Sequence, residues 1–362
     1  MTIRFNAKAG IATALMIGSA VCTAQTKDAR QEKPGINLFY MDKKVKPSDD
    51  FFRYVNGKWV DETEIPSDKT RWGSFDELRE TTNNDALAIL KEAAANKSLK
   101  SSSDQGKAAN LYRTIMDTVA RNKAGITPLK PYLTKINAVK DVKSLQALLT
   151  EMEPEGGLGF MGAGVGVDAK DSNRHVVSVG PGSLGLPDRD YYVSDDADSK
   201  EKREKYVLHV AKMLKFLGYK DKEAGEQAKK ILALETAMAQ PRLDRVERRD
   251  RRKSYNPMTV AELQKLMPSF DWNKYFTGIG FKKVDTVIVT QPKDMTALDG
   301  LLKQNKVEDW KAYMRWTLLN KSTGLLSTDI ETANWDFYSK TLRGALKEES
   351  RDKNALQTIN GT

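Results

Sequence analysis

The sequence predicts a mainly α fold, a multi-helix lobe with a small β-hairpin insertion. Apolar residues recur at helical spacing along most of the 362-residue chain. Alternating apolar strands are confined to a glycine-rich stretch near the middle and one later run. The chain is long for one domain, and burying a sizeable core poses it no difficulty.

Residues 1–24 carry Arg4 and Lys8, an apolar run from Ala9 to Ala20, and small residues at Cys22 and Ala24 before a cut. This is the pattern of a secretory signal peptide. The run is too short to span a bilayer as a mature helix, so an exported chain, periplasmic or extracellular, with no stable membrane span is expected. The alternative is lipoprotein acylation at Cys22, the single cysteine, but Val21 stands where a small residue is wanted. Cleavage after Ala24 leaves no cysteine for a disulfide, thiol catalysis or Cys-ligated zinc. Residues 25–36 are polar and expected to be disordered, with order beginning near Asn37.

In "KTRWGSFDELRE", Lys69 to Glu80, Ser74 and Glu77 fit an S-x-x-E capping box. A helix is therefore expected from Phe75 to about residue 95, with Asp76 in its first turn facing the positive end of the helix dipole. Gly73 permits a sharp turn that leaves Arg71 on the entering loop. These residues alone leave two readings open: Arg71 pairs with Asp76, or it is held out for another partner.

Ala108, Leu111, Tyr112, Ile115, Met116 and Val119 share one helical face. Tyr206, Val210, Met213, Leu214 and Leu217 share another, with Gly218 as its stop. Further helices are expected over about 128–138, 141–152, 222–239, 259–267, 306–320 and 330–345. Phe160 to Val167 and "HVVSVG" from His175 read as a hairpin joined through "KDSN", and "DTVIVT" from Asp285 as a third strand.

Several motifs carry less than their spacing suggests. Gly157-x-Gly159-x-x-Gly162 has the spacing of a dinucleotide fingerprint, yet an alternating strand follows where that fingerprint needs a helix. It reads as a glycine-rich turn into the hairpin. His175 and His209 lie 34 residues apart, so no H-E-x-x-H pair exists, and no metal site is expected. "DDADSKE" from Asp195 lacks the glycine and later glutamate of a calcium loop. The formal charge of +10 is mixed along most of the chain and assigns no partner by itself. The densest basic run, Arg242 to Lys253, sets seven Arg or Lys against Asp244, Glu247 and Asp250. Without interleaved aromatics or a reading motif it is an ion-paired helix end, and no nucleic-acid partner is expected. No nucleophile elbow or phosphate-cradling loop is present in the sequence.

Three stretches taken together carry a resemblance: "DDFFRYVNGKWVDETEIPSDKTRWGSFDELRE" (49–80), "LGLPDRDYYVSDDADSKEKREKYVLHVAKMLKFLG" (184–218) and "YNPMTVAELQKLMPSFDWNKYF" (255–276). The chain resembles the amino-terminal half of the neprilysin-like M13 zinc metallopeptidases, bacterial branch, from about Asn37 onward. The resemblance implies that residues 37–362 are an M13 amino-terminal domain, one wall of a closed chamber in which oligopeptides are cleaved. It also implies zinc as the cofactor of the full-length enzyme, held in the carboxy-terminal half by an H-E-x-x-H helix and a later glutamate. None of those residues occurs in this sequence. The expectation is thus a truncated chain that binds no zinc, is inactive alone, and has the missing catalytic lobe and peptide substrate as partners. The alternative is a non-catalytic peptide-binding or interaction protein derived from such a peptidase. The family's S-R-x-G-x-F-D segment matches Arg71 and Asp76, which implies that Arg71 holds substrate on the primed side, oriented by Asp76. No catalytic residue is assigned.

Overall fold

The computed structural model describes residues 37–361. The expectations for residues 1–24, for Cys22 and for 25–36 lie outside the described residues. Those described form two compact units, 37–64 and 65–361. In the first, Asp50 accepts the Arg53 N–H at 2.8 Å and starts the helix Phe51–Glu62. Gly57 is its buried position; a Cβ there would come within 2.7 Å of Asp42 Cβ. Only glycine lets the helix approach the preceding chain so closely.

The second unit is mostly helical, as expected. The expected helices at 128–138, 141–152, 222–239, 259–267 and 306–320 are Lys130–Asn137, Val142–Met152, Asp221–Ala239, Val260–Leu266 and Val307–Ser322. Asp141 with Ser144, and Thr259 with Glu262, form reciprocal capping boxes at two of these starts. Asp196 caps the helix Ala197–Phe216, so the acidic run there is a helix start. That helix stops at Gly218, whose φ of 93° lets its N–H reach the Lys215 carbonyl at 3.0 Å.

Three local expectations are corrected. The Ser74–Glu77 capping box does not form. Gly73 takes the cap position without a side-chain bond, and the helix Ser74–Ala95 begins one residue early, so Ser74 is already inside it. The single helix expected over 108–119 is two, Asp104–Met116 and Thr118–Ala124. Asp117 breaks the first and caps the second through the Ala120 N–H at 2.9 Å, which leaves Val119 exposed instead of in the core. The helix expected over 330–345 runs as Thr328–Trp335 and then widens into a π-helical turn, Asp336–Thr341.

The hairpin of β1 (Met161–Asp168) and β2 (Asp171–Pro181) is part of a four-stranded sheet with β3 (Pro257–Thr259) and β4 (Thr286–Val289), in the order β1-β2-β4-β3. The β1/β2 and β3/β4 pairs are antiparallel, while β2 and β4 run parallel with Val179 opposite Val289. Between neighbours on both sides, β4 buries Val287, Ile288 and Val289 in succession, the unbroken apolar run of an inner strand.

The main core joins this sheet to the helices around Trp310, Tyr313 and Trp316. Of the buried carboxylates among the described residues, Glu235 alone has no solvent exposure. It accepts bonds from the Gly185 N–H at 3.1 Å and from the hydroxyls of Tyr192 and Tyr206 at 2.9 and 2.7 Å. Burial raises its pKa above the ordinary glutamate value, and these three donors oppose the shift. The network fastens the 182–190 loop to the helices Ala197–Phe216 and Asp221–Ala239.

Candidate functional site

Arg71 and Asp76 face each other across the start of the helix Ser74–Ala95. Gly73 is extended, and its carbonyl accepts the Asp76 and Glu77 N–H groups at 2.9 and 3.0 Å. This places Asp76 in the first turn, where the dipole favours its charge. Arg71 Nε lies 3.8 Å from Asp76 Oδ1, an ion pair too long for a hydrogen bond, and the arginine side chain is 77% exposed. Of the two readings left open by the sequence, the structure contains the pairing of Arg71 with Asp76, at ion-pair distance.

The two line a cavity of about 350 Å³, closed on its far side by Trp335, Arg343, Lys347 and Glu349. Ion pairs hold these distant segments together: Lys69 with Glu349, and Glu80 with Lys353. The Lys347 N–H also donates to the Ser67 carbonyl at 3.0 Å. Beneath them, Leu87, Leu90, Tyr112, Ile115, Ala355 and Leu356 form a separate small core. Partial burial works against the Lys69 charge, but the bond to Glu349 and the charges of Glu349, Asp68 and Glu80 prevail and raise its pKa.

The acids of the cavity are therefore already matched. Glu349 takes Lys69 and a bond from Gln357 at 2.6 Å, and Glu80 takes Lys353. Arg79, Arg343 and Lys347 line the same cavity with no side-chain hydrogen bond or ion pair among the described residues. These three leave an excess of positive charge around a polar cleft, an arrangement suited to a carboxylate. Sequence reasoning found Arg71 and Asp76 but not Arg79, one helical turn beyond Asp76, nor Arg343 and Lys347, which only the tertiary fold brings to the cleft.

The remaining sequence candidates are structural. His209 is buried, stacks on Phe337 at 4.5 Å, and is pushed down to about 3 by burial and by Lys212, so it stays neutral. His175 sits in β2, opposite Val167. Five of the seven cations of the basic run are ion-paired: Arg242 with Asp294, Arg245 and Arg248 with Asp188, Arg252 with Asp250, and Lys253 with Glu247. Gly156, Gly157 and Gly159 all have positive φ and turn the chain into β1. Among the described residues, no group of three or more His, Cys, Asp or Glu could hold a metal ion. No described helix is long and apolar enough to cross a membrane.

Comparison with known proteins gives this cleft its context. The model of the amino-terminal part of peptidase family M13 matches residues 47–362. Endothelin-converting enzyme 1 of Rattus norvegicus is 28% identical over 82% of this chain and 40% of its own length. Neprilysin-3 of Drosophila melanogaster is 27% identical over 81% of this chain and 40% of its own. The inhibitor complex of the Mycobacterium tuberculosis zinc metalloprotease Zmp1 superposes with a TM-score of 0.83 at 31% identity, covering 90% of this chain and 50% of that one. PepO of Lactobacillus rhamnosis, at 18% identity and a TM-score of 0.75, shares the fold. The chain thus spans about two fifths of these curated relatives and half of the solved structures. It belongs to peptidase family M13, and what it matches is that family's amino-terminal region.

Proposed function

We propose that this chain is the amino-terminal, substrate-chamber part of an exported zinc-dependent metalloendopeptidase that hydrolyses oligopeptides, with Arg71 binding the carboxy-terminal end of the substrate. The observation that carries the reading is the cleft itself. A largely exposed guanidinium is steered but not consumed by Asp76, beside three unpaired cations. A guanidinium fork holds a carboxylate or a peptide carbonyl through two parallel bonds. Asp76 acts as a positioning residue. Zinc and the activation of water belong, in this reading, to residues outside this sequence, and residues 37–362 act as the amino-terminal domain. Export rests on the signal-like residues 1–24.

Calorimetric titration of the full chain with two hexapeptides, identical but for a free or an amidated carboxy terminus, tests the reading. The free acid should bind at least about tenfold more tightly, the value of a charge-assisted pair. Arg71→Ala should abolish that preference and Arg71→Lys restore part of it. Equal affinity for the two peptides, or a preference that survives Arg71→Ala, overturns the assignment. The unpaired cations of the cleft also fit a second reading, a non-catalytic peptide-binding protein. The two part on proteolysis: cleavage that appears only when a zinc-bearing M13 catalytic segment is supplied favours the first reading. Chelator-sensitive cleavage by the chain alone refutes both.

A further inference from the structure

The sheet has an open edge far in sequence from the Arg71 cleft. At the other margin, β3 is only three residues long, begins with a proline and runs into a helix, devices that blunt an edge. Strand β1 is eight residues long and has β2 on one side only. Its parity follows from β2: the Val179 carbonyl accepts the Thr290 N–H at 2.8 Å on the β4 side, so Ala163, opposite Val179, turns its main-chain groups away from β2. Val165 and Val167 share that parity. The Glu153 carboxylate covers the Ala163 N–H at 3.1 Å. Val165 and Val167 have no such cover among the described residues, and the two residues are 57% and 58% exposed.

Beside this edge lies a cavity of about 150 Å³ whose lining includes Gly166, Ser178, Arg251, Tyr255 and Ile288. The Arg251 guanidinium has no hydrogen bond or ion pair among the described residues. Lys170 adds a second cation, 4.6 Å over the Tyr255 ring. The neighbouring acid, Asp168, is taken up by Arg174 and by the Tyr255 hydroxyl at 2.8 Å. The cavity rim is therefore positive.

We propose that the open edge of β1 binds an extended acidic peptide segment by strand addition, its main chain pairing with Val165 and Val167 and a Glu or Asp side chain entering the Gly166 cavity toward Arg251. Unpaired N–H and C=O groups alternating along a strand are complemented by another strand. A residue added opposite Gly166 points its side chain to the face Gly166 occupies, which is the face of the cavity. The two residues flanking it exchange main-chain bonds with Val165 and Val167. A second copy of β1 is the poorer occupant: antiparallel pairing centred on Val165 would set each Glu153 carboxylate against the partner's Val167 edge. A short peptide avoids that collision.

Fluorescence anisotropy with the full chain tests this, using the carboxy-amidated probe fluorescein-Ser-Thr-Val-Glu-Val-Thr-Ser, which has no terminal carboxylate for the Arg71 cleft. Saturable binding is expected, unchanged by Arg71→Ala, so the two proposals stand or fall separately. Replacing the probe's Glu with Lys should weaken binding at least about tenfold, and Arg251→Ala should make the two probes equal. N-methylation of both probe valines, whose amides face β1, should abolish binding, whereas N-methylation of the Glu should not. Val165→Pro should also abolish it; if that variant does not fold, the N-methylated probes decide. No saturation at millimolar probe, or binding indifferent to valine N-methylation, overturns the proposal. So does self-association that protects the Val165 and Val167 amides from exchange without peptide.

Discussion

Replacing Glu235 tests whether one buried carboxylate holds the helical lobe together. In Glu235→Leu the three donors stay while their acceptor disappears. The Gly185 N–H is fixed by the backbone. The Tyr192 hydroxyl already accepts the Leu186 N–H at 2.6 Å, and that of Tyr206 accepts Trp316 Nε1 at 3.0 Å, so their protons find no new partner by simple rotation. Each unsatisfied buried donor costs about 1–3 kcal/mol, or roughly 3–9 kcal/mol for the three. Removing the desolvation penalty of a fully buried carboxyl group offsets part of this. A net loss of about 3 kcal/mol is expected. Glu235→Gln keeps one oxygen and should cost about 1–2 kcal/mol. Urea unfolding at pH 7, followed by tryptophan fluorescence, reads both through the midpoint at unchanged slope. If Glu235→Leu unfolds within about 0.5 kcal/mol of the parent, the carboxylate does not organise these donors and the reasoning fails.

Two further outcomes follow from other buried contacts. Burial pushes the Asp294 carboxyl up to about 6 even though Arg242 stands 3.1 Å away. Because the folded value lies above the unfolded one, the stability linked to this proton is full below about pH 4 and is lost as the pH rises through 6. Between about pH 4 and 7 the parent should therefore lose roughly 3 kcal/mol relative to Asp294→Asn, which cannot titrate. Parallel urea stabilities across that window would refute the shift. At Gly185 an added Cβ would lie 1.8 Å from Tyr206 Oη and 2.7 Å from its Cζ, whereas Gly225, inside a helix, has open space. Gly185→Ala should destabilise by at least about 2 kcal/mol and Gly225→Ala should stabilise by about 0.5–1 kcal/mol. Equal melting temperatures for the pair would count against the packing around Tyr206.

The helices that the sequence marks are those with an apolar face at helical spacing, whether capped, as Val142–Met152 is by Asp141, or uncapped, as Asp221–Ala239 is. Two of the helices it does not mark bury too few apolar residues to show a period. Phe51–Glu62 exposes Phe51 and Phe52 and buries only Gly57, so its apolar pattern does not mark an inward face. Arg351–Asn360 buries only Ala355 and Leu356, too few for a period. Strand β3, three residues long, is defined by its pairing with β4 and by no pattern of its own. The capping box at Ser74 failed because two adjacent residues competed for one position. Glycine at 73 supplied the extended backbone, and the helix absorbed the serine.

That competition bears on the site. With Gly73 as the cap, no side chain closes the first turn, and the nearest carboxylate, Asp76, is left facing Arg71 instead of bonding the helix N-terminus. The far wall of the cleft comes from residues some 260–280 positions along the chain, through Lys69 with Glu349 and Glu80 with Lys353, and no local pattern could announce it. Those pairs neutralise the acids that would otherwise attract Arg71. The long-range ion pairs therefore do more than join two segments. They leave Glu349 and Glu80 matched within the cleft, so that in the proposed reading the carboxylate facing Arg71 is Asp76 alone.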